Sequence, residues 1–350
     1  MAAVDIAIVS LGTTMGWRRA DEALAAHVEA AGASCELRPI RLGRARHLQR
    51  SMATTDVVQA LAARRAAAGV DARTVVYSSI TAALVQPLRR PHAVRFDTIA
   101  ALSRPGIGGA WQRLRERTVL ARADLLLPWS EAAAEAARTA SGAGGGPPQI
   151  VLPCVVDVAA EPAADAPDAT AYAANPDKRG LDFLCAAWAE AAPAGARLVV
   201  GGIGADEALR WLGRRGVDVP AGVEFAGALA RERWTALVAG SRVYLSAARY
   251  EDWGVAQMEA LAAGTTLVTA PTPGPNAALP IARELAPEFV ARDATPSALA
   301  AAMRAGLAMS DSDRADYATR ARSRLEPYSD AALRTIVVEQ VVPALLGPRA

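Results

Sequence analysis

Only one of the 38 basic residues is a lysine, Lys178, and this scarcity excludes a common phosphate-binding motif. A Gly-x4-Gly-Lys phosphate loop requires a lysine directly after a glycine, whereas Lys178 follows Asp177. The glycines after the first apolar run, Gly12 and Gly16, have a Gly-x3-Gly spacing, which differs from the three-glycine dinucleotide fingerprint. A nucleotide ligand would therefore have to be held by other means.

Cysteine and histidine are also scarce, with three residues of each. The cysteines (Cys35, Cys154, Cys185) lie far apart, lack metal-ligand spacing and are odd in number, so we expect buried free thiols in a reducing cytoplasm. The histidines form no cluster in the sequence. The sequence therefore implies no metal site.

Long apolar runs are missing. No run approaches the roughly 20 residues needed to span a bilayer. Residues 1–10 contain Asp5 and no basic region, so we expect a first strand there and not a signal peptide. These features favour a cytoplasmic protein.

Charge is distributed unevenly between the two halves. Residues 1–150 carry a net charge of +7 and residues 151–350 a net charge of −5. The most basic stretch runs from Arg38 to Arg65 and contains a single acid, Asp56. We favour a solvated helix face for this stretch. The alternative is contact with an anionic acceptor or with an anionic membrane, at whose inner face the protein would be peripheral. Nucleic acid is disfavoured because the stretch has no interleaved aromatic residues.

The length of 350 residues suits two domains. Short β-rich runs alternate with amphipathic stretches, which is typical of parallel βα units. Strands are predicted at 5–10, 34–37, 74–78, 93–96, 125–127, 149–152, 171–173, 197–200, 222–225, 243–246, 266–269 and 288–290. Helices are predicted at 19–31, 181–191, 231–239, 296–308 and 329–346. A segment rich in proline and alanine, 156–170, predicts a linker. We therefore expect domains at 1–155 and 165–328, followed by a C-terminal helix in 329–350.

The most informative segment, residues 250–264, contains two acids separated by a glycine. It follows an apolar run, turns at Gly254 and then has a helical pattern that ends at Gly264. The first amides of such a helix have no internal partners, so they form an anion site. These amides are those of Gly254, Val255 and Ala256.

Glu259 falls on the apolar stripe of this helix, where a carboxylate requires hydrogen-bond donors. Ribose hydroxyls could provide them, but an arginine or backbone amides are the usual partners. Glu251 by itself could be a solvated loop charge.

Taken together, these residues resemble the Glu-x7-Glu signature of the group-1 retaining glycosyltransferases, which have the GT-B fold. The resemblance implies two Rossmann-like domains facing across a cleft, with the C-terminal helix packing back on the first domain. It also implies that Glu259 holds the ribose of a sugar nucleotide and that Glu251 contacts the donor sugar.

Two adjacent cations, Lys178 and Arg179, stand in a loop before a predicted helix, where they could bind a diphosphate or form a solvated pair. The family has Arg-x4-Lys-Gly at this place, and both cations bind the donor diphosphate. Here Arg179 precedes Gly180, and Ala174 occupies the position of the first arginine. We therefore expect Lys178 and Arg179 to bind the donor diphosphate together. The resemblance also places the Gly12–Gly16 loop close to the donor phosphates and the acceptor.

Arg95 and Asp97 end a predicted strand, near the position where many family members carry a His-Asp or His-Thr pair. The resemblance suggests that Asp97 orients an acceptor hydroxyl and that Arg95 holds a phosphate. The alternative is a surface ion pair between the two. His92 is expected to be structural.

The function implied by the resemblance is the transfer of a hexose from a nucleoside-diphosphate sugar to a hydroxyl acceptor, without a cofactor or a metal. The acceptor could be a glycan, a lipid or a small molecule. Two alternatives remain: another GT-B enzyme, such as a sugar-nucleotide epimerase, and a non-catalytic nucleotide-sugar-binding protein of the same fold.

Overall fold

The computed structural model describes residues 4–12, 15–49, 51–87, 91–141, 146–156 and 160–347. The chain divides into two compact units. Unit 1 comprises Met1–Val155 together with Tyr328–Ala350, and unit 2 comprises Val156–Pro327. Each unit contains one five-stranded sheet.

The strands of unit 1 are parallel and lie in the order β2-β1-β3-β4-β5. They are β1 (Val4–Ser10), β2 (Cys35–Pro39), β3 (Ala72–Tyr77), β4 (His92–Phe96) and β5 (Leu125–Pro128). The helices are α1 (Met15–Ala30), α2 (Met52–Ala67), α3 (Ile80–Ala83), α4 (Ala100–Ser103), α5 (Ala110–Arg122) and α6 (Glu131–Ser141). Two 3-10 segments, Gly43–Leu48 and Ile107–Gly109, precede α2 and α5.

Alternate residues of these strands enter two hydrophobic clusters. In β1, Val9 belongs to one cluster, whereas Ile6 and Ile8 belong to the other. In β4, Phe96 belongs to the cluster that contains Val9, and Ala93 belongs to the cluster that contains Ile6 and Ile8. Because successive side chains of a strand point to opposite faces, both faces of the sheet are buried.

The C-terminal segment covers one of these faces. It consists of α14 (Asp330–Ile336), a π-helical turn (Val337–Val341) and α15 (Val342–Leu346). Leu333 and Val341 join the cluster that contains Ile6, so the expected return of this segment to the first domain is confirmed. The π turn was not predicted. It precedes Pro343, which has no N–H to donate to the carbonyl four residues earlier, so the regular α-helical bonding is interrupted there.

The sheet of unit 2 is also parallel, in the order β10-β9-β6-β7-β8. Its strands are β6 (Ala169–Tyr172), β7 (Leu198–Gly201), β8 (Val223–Gly227), β9 (Val243–Ser246) and β10 (Thr266–Thr269). Its helices are α7 (Leu181–Ala191), α8 (Ala205–Gly213), α9 (Arg231–Gly240), α10 (Val255–Ala263), α11 (Ala278–Leu285), α12 (Pro296–Leu307) and α13 (Asp311–Leu325). From β6 the chain proceeds outward through β7 and β8, and then crosses back to add β9 and β10 on the other side.

Two strand predictions were wrong. Residues 149–152 form only an isolated bridge between Gln149 and Leu126, and residues 288–290 form only a bridge between Val290 and Thr269. Proline explains both, since it has no N–H to donate to a ladder. Leu152 N donates to Pro128 O of β5 at 2.8 Å, but Pro128 has no N–H with which to extend the pairing. In the second case, Pro287 begins a 3-10 turn, Pro287–Phe289. The predicted linker also ends early, because Ala169 already belongs to β6.

In the described part of the chain, no helix is both long and apolar enough to span a membrane.

Candidate functional site

The candidate site in unit 2 lies where the strand order reverses, between β6 and β9. The loop after β6 and the loop after β9 both leave the carboxyl-terminal edge of the sheet, where parallel α/β sheets bind ligands. The two loops are in contact, because Arg249 N donates to Lys178 O at 2.9 Å. The crevice predicted by the topology is therefore lined by residues 173–180 and 247–254.

Glycines begin the helix that follows each loop. Gly180 precedes α7 with φ 61°, and Gly254 precedes α10 with φ 91°. A glycine at the N-cap position has no side chain, so neither helix start is capped by its own N-cap residue. Leu181 N, the first amide of α7, already donates to Pro176 O at 2.9 Å. At α10, the amides of Gly254, Val255 and Ala256 face no such backbone acceptor among the described residues, and a helix N-terminus favours negative charge.

Gly180 is also required for close packing between the two loops. A Cβ at this position would lie 2.1 Å from Ala247 O, and its positive φ is strained for any other residue. We expect Gly180→Ala to lower the free energy of unfolding by about 3 kcal/mol, measured by urea denaturation. Gly213→Ala is the matched control, because a Cβ there meets nothing within 4 Å. Equal stability of the two variants would show that the loops can separate at little cost.

Glu251 is buried at this edge, with 3% of its surface exposed. Its Oε2 accepts a hydrogen bond from Arg179 Nη1 of the neighbouring loop. Burial lowers the pKa of Arg179, but the charge of Glu251 and the other nearby acids raise it overall, so the guanidinium stays charged. Glu251 is thus a fixed carboxylate and not the solvated loop charge considered from the sequence.

Lys178 and Asp252 form a second pair beside the first. Lys178 Nζ donates to Asp252 Oδ2, and Lys178 N donates to Asn175 Oδ1 at 3.0 Å. The side chains of Lys178 and Asp252 are 31% and 21% exposed, so both remain within reach of a ligand. The structure thus places the two predicted cations next to each other, each held by an acid from the loop after β9.

Glu259 lies on α10, one turn beyond the uncapped helix start. Its Oε1 accepts from Arg231 Nη1 at 2.7 Å, and its side chain is 17% exposed. The usual arginine partner considered from the sequence is therefore present, and Glu259 is less buried than expected. Sequence reasoning missed Arg231, the first residue of α9. No local pattern separates it from Arg233, because the pairing depends on how α9 packs beside α10.

A chain of amides fixes the first turn of α10. Gln257 Nε2 donates to Ser246 Oγ at 2.7 Å, and Asn276 Nδ2 donates to Gln257 Oε1 at 3.2 Å. Asn276 Oδ1 accepts from Ala278 N at 3.1 Å. The segment 272–276, interpreted from the sequence as a plain turn, thus positions this helix start.

The predicted residues of unit 1 have different surroundings. Arg95 is 2% exposed, and its guanidinium donates to Ala20 O and Pro153 O, each at 3.0 Å. It also lies 3.4 Å from Asp21 Oδ1 and 4.9 Å from the ring centroid of Trp129. A buried guanidinium with these partners is not part of a surface ion pair, and its contacts favour a structural role over the predicted phosphate contact.

Asp97 is half-buried directly after β4, at the carboxyl-terminal edge of the sheet. His92 is buried, and its backbone N donates to Asp124 Oδ2 at 2.9 Å, which agrees with the structural role expected for it. Gly12 follows β1 with φ 50°, whereas Gly16 belongs to the first turn of α1 and not to the loop. The loop residues 13 and 14 lie outside the described residues.

A buried carboxylate in α1 was missed. Asp21 is fully buried and accepts from Ser10 Oγ at 2.5 Å. Burial raises the pKa of Asp21 to about 6, against the charge of Arg95 and the hydrogen bonds from Ser10 and Ser78, which lower it. A sequence signal existed, because Asp21 shares its helix stripe with Leu24 and Val28.

Comparison with known proteins is informative for unit 2 and for the fold. Residues 169–308 match the family model described as "Glycosyl transferases group 1". The match extends from β6 to just beyond α12 and so includes Arg179, Glu251 and Glu259. Among curated protein sequences, no significant match to the chain is found.

Several solved structures share the fold at low sequence identity. Sucrose-phosphate synthase from Thermosynechococcus elongatus is 17% identical with a TM-score of 0.72, and the alignment covers 95% of this chain and 96% of that one. HepE of Anabaena, in complex with UDP-glucose, is 14% identical with a TM-score of 0.68, covering 97% and 99%. WaaG, a glycosyltransferase involved in lipopolysaccharide biosynthesis, is 14% identical with a TM-score of 0.68, covering 98% and 100%. The predicted GT-B fold is thereby confirmed.

Proposed function

Because residues 169–308 match group 1 glycosyltransferases and the whole chain has the GT-B fold, we propose that this protein is a retaining glycosyltransferase. It moves a hexose from a nucleoside-diphosphate sugar to a hydroxyl of a glycan, lipid or small molecule. The three free cysteines are in keeping with a cytoplasmic location.

The observation that carries this proposal is the double cation–carboxylate pair at the strand switch point. Lys178 and Arg179 from one loop meet Asp252 and Glu251 from the other. A diphosphate lying across this edge would meet two cations that are already in place, together with the uncapped start of α10. Preorganised charges of this kind stabilise a leaving group without reorganisation during the reaction.

The carboxylates have a second role in the proposal. Glu251 is bound to Arg179 through Oε2. Its carboxylate can in addition accept hydrogen bonds from hydroxyls of the donor sugar, which positions the anomeric carbon beside the diphosphate. At the other end of the nucleotide, Glu259 binds the ribose hydroxyls, and Arg231 holds the carboxylate in its rotamer.

The reaction breaks the bond between the anomeric carbon and the diphosphate oxygen and forms a bond from the same face of the sugar to the acceptor oxygen. The proton of the acceptor hydroxyl passes to the departing phosphate. The protein supplies position and charge: Lys178 and Arg179 offset the diphosphate charge in place of a metal, and Asp97 orients the acceptor hydroxyl.

We expect Glu259→Gln to weaken nucleoside-diphosphate binding about tenfold or more, because hydrogen bonds to a charged acceptor are worth about 1.5–3 kcal/mol. Calorimetric titration with UDP, GDP, dTDP and ADP measures the effect and identifies the preferred base. The control is Glu232→Gln, which removes an exposed acid from neighbouring α9. Unchanged affinity for every nucleotide would refute the ribose role.

The function itself is tested by incubating the protein with nucleotide sugars and a panel of hydroxyl acceptors, followed by NMR of the anomeric proton. Retention of configuration in a transfer product supports the proposal, and inversion overturns the retaining mechanism. Conversion of the donor into its epimer would identify a sugar-nucleotide epimerase. Tight nucleotide binding with neither transfer nor donor hydrolysis would identify a non-catalytic binding protein.

A further inference from the structure

Exposed apolar side chains concentrate on one part of unit 1. In the described residues, seven of the nine large hydrophobic side chains that are exposed belong to two segments, 48–61 and 102–114. They are Leu48, Met52, Val57, Leu61, Leu102, Ile107 and Leu114. Ile107 is 95% exposed and Leu114 is 68% exposed. Such a concentration on a folded surface marks a site of interaction.

The two segments lie side by side in unit 1. Arg104, which follows α4, donates from Nε to Asp56 Oδ2 of α2 at 3.0 Å. Gln112 of α5 donates to the same oxygen. Asp56 therefore joins α2 to the α4–α5 segment, and we refer to the exposed residues of 41–65 and 102–117 as the unit 1 face.

This face is also strongly basic. Asp56 is the only acid between positions 37 and 70, and Glu116 is the only acid between positions 98 and 123. Both are buried within the protein. Asp56 accepts from Arg104 and Gln112, and Glu116 accepts from Ala100 N at 2.6 Å. The exposed arginines of the face (Arg41, Arg44, Arg64, Arg65, Arg115, Arg117) are therefore not offset by an exposed acid from either stretch.

On each helix, an arginine follows an exposed leucine by one turn. Leu61 is followed by Arg65 on α2, and Leu114 is followed by Arg117 on α5. An apolar side chain with an arginine one turn away suits the boundary between lipid tails and headgroups, where the arginine extends its charge to the phosphates. A helix face that only contacts solvent would explain why the arginines are exposed, but not why the leucines are.

We propose that the unit 1 face docks on an anionic lipid bilayer, with Ile107 and Leu114 inserted among the lipids and the arginines on the headgroups. The positive charge selects anionic lipids, and the apolar side chains supply the attraction that persists at high salt. This proposal does not depend on the transferase activity and is tested without it.

The test is co-sedimentation of the full chain with vesicles of phosphatidylcholine, with and without about one-third phosphatidylglycerol. We expect binding to the anionic vesicles only, weaker at 0.5 M salt than at 0.1 M. The double variant Arg44→Ser/Arg65→Ser should weaken binding about 25-fold, because each arginine near an anionic surface strengthens binding about fivefold. Ile107→Ser/Leu114→Ser should weaken it at least tenfold.

Matched controls come from α8 of unit 2 and its C-cap residue Arg214, which together provide an exposed leucine and two exposed arginines. Leu209→Ser and Arg210→Ser/Arg214→Ser should leave binding unchanged. The proposal is overturned if anionic vesicles are not bound, if neutral vesicles are bound equally well, or if the α8 variants lose as much binding as those of the unit 1 face. It is also overturned if Ile107→Ser/Leu114→Ser dissolves a dimer of this chain, seen by light scattering, while vesicle binding is absent. Thermal unfolding of each variant verifies that the fold is intact.

Discussion

Replacement of Glu251 by glutamine should reduce the turnover of sugar transfer by at least 100-fold and change nucleoside-diphosphate affinity by less than about threefold. The carboxylate is buried and holds Arg179. Glutamine keeps the size of the side chain but removes its charge, so Arg179 loses its counter-charge and the donor sugar loses a charged acceptor. Removal of one preorganised electrostatic contact commonly costs about 100- to 1,000-fold in turnover. Single-turnover transfer kinetics and calorimetric titration with the nucleotide measure the two effects separately.

Glu224→Gln is the matched control for this prediction. Glu224 is an acid of the same unit that is also paired with an arginine, Arg197, but its side chain is 54% exposed. We expect normal turnover for this variant, because exposed ion pairs contribute little. A Glu251→Gln enzyme with full turnover, or one that loses turnover and nucleotide affinity in proportion, would show that Glu251 does not act on the donor sugar.

The elements most accurately predicted from the sequence are those with strong local signals. Strands β9 and β10 and helix α7 have the predicted bounds, because each is a run of apolar or periodic residues flanked by turn residues. Gly264 ends α10 in the left-handed conformation, as expected for a C-cap glycine. The failures lie beside prolines, where apolar composition favoured a strand but the backbone cannot complete a ladder.

The candidate site could be predicted only in part. Glu251, Gly254 and Glu259 share one strand–turn–helix segment, so their spacing in the sequence conveys their arrangement. The partners of these residues could not be inferred in the same way. Arg231 meets Glu259 only because α9 packs beside α10, and Asn276 reaches Gln257 from the loop after β10. Such contacts depend on tertiary structure and have no fixed sequence separation.

Arg95 shows how burial changes an interpretation made from the sequence. Its place at the end of β4 suggested a phosphate contact, yet its guanidinium donates to a loop carbonyl (Pro153 O) and to a carbonyl of α1 (Ala20 O), and it lies beside the buried acid Asp21. Arg95→Ala should lower the free energy of unfolding by about 3–5 kcal/mol, because it leaves the carboxylate of Asp21 buried without its cation. Chemical denaturation at pH 8 measures this loss. Arg73→Ala, which removes an exposed arginine paired with Asp5 in the same unit, should cost less than about 1 kcal/mol.

The pH dependence of the stability lost in Arg95→Ala separates a structural role of Arg95 from a catalytic one. Burial raises the pKa of Asp21 from its usual 3.8 to about 6, so its favourable contribution to stability is complete below pH 3.8 and is lost as the pH rises through 6. Without Arg95, the pKa of Asp21 rises further, so in the variant the stabilising contribution of Asp21 continues to fall up to a higher pH. The stability difference between the wild type and Arg95→Ala should therefore shrink as the pH falls from 8 to 5, because Asp21 then becomes neutral in both proteins. A small difference that does not vary with pH, combined with a large fall in turnover, would restore Arg95 to the reaction centre.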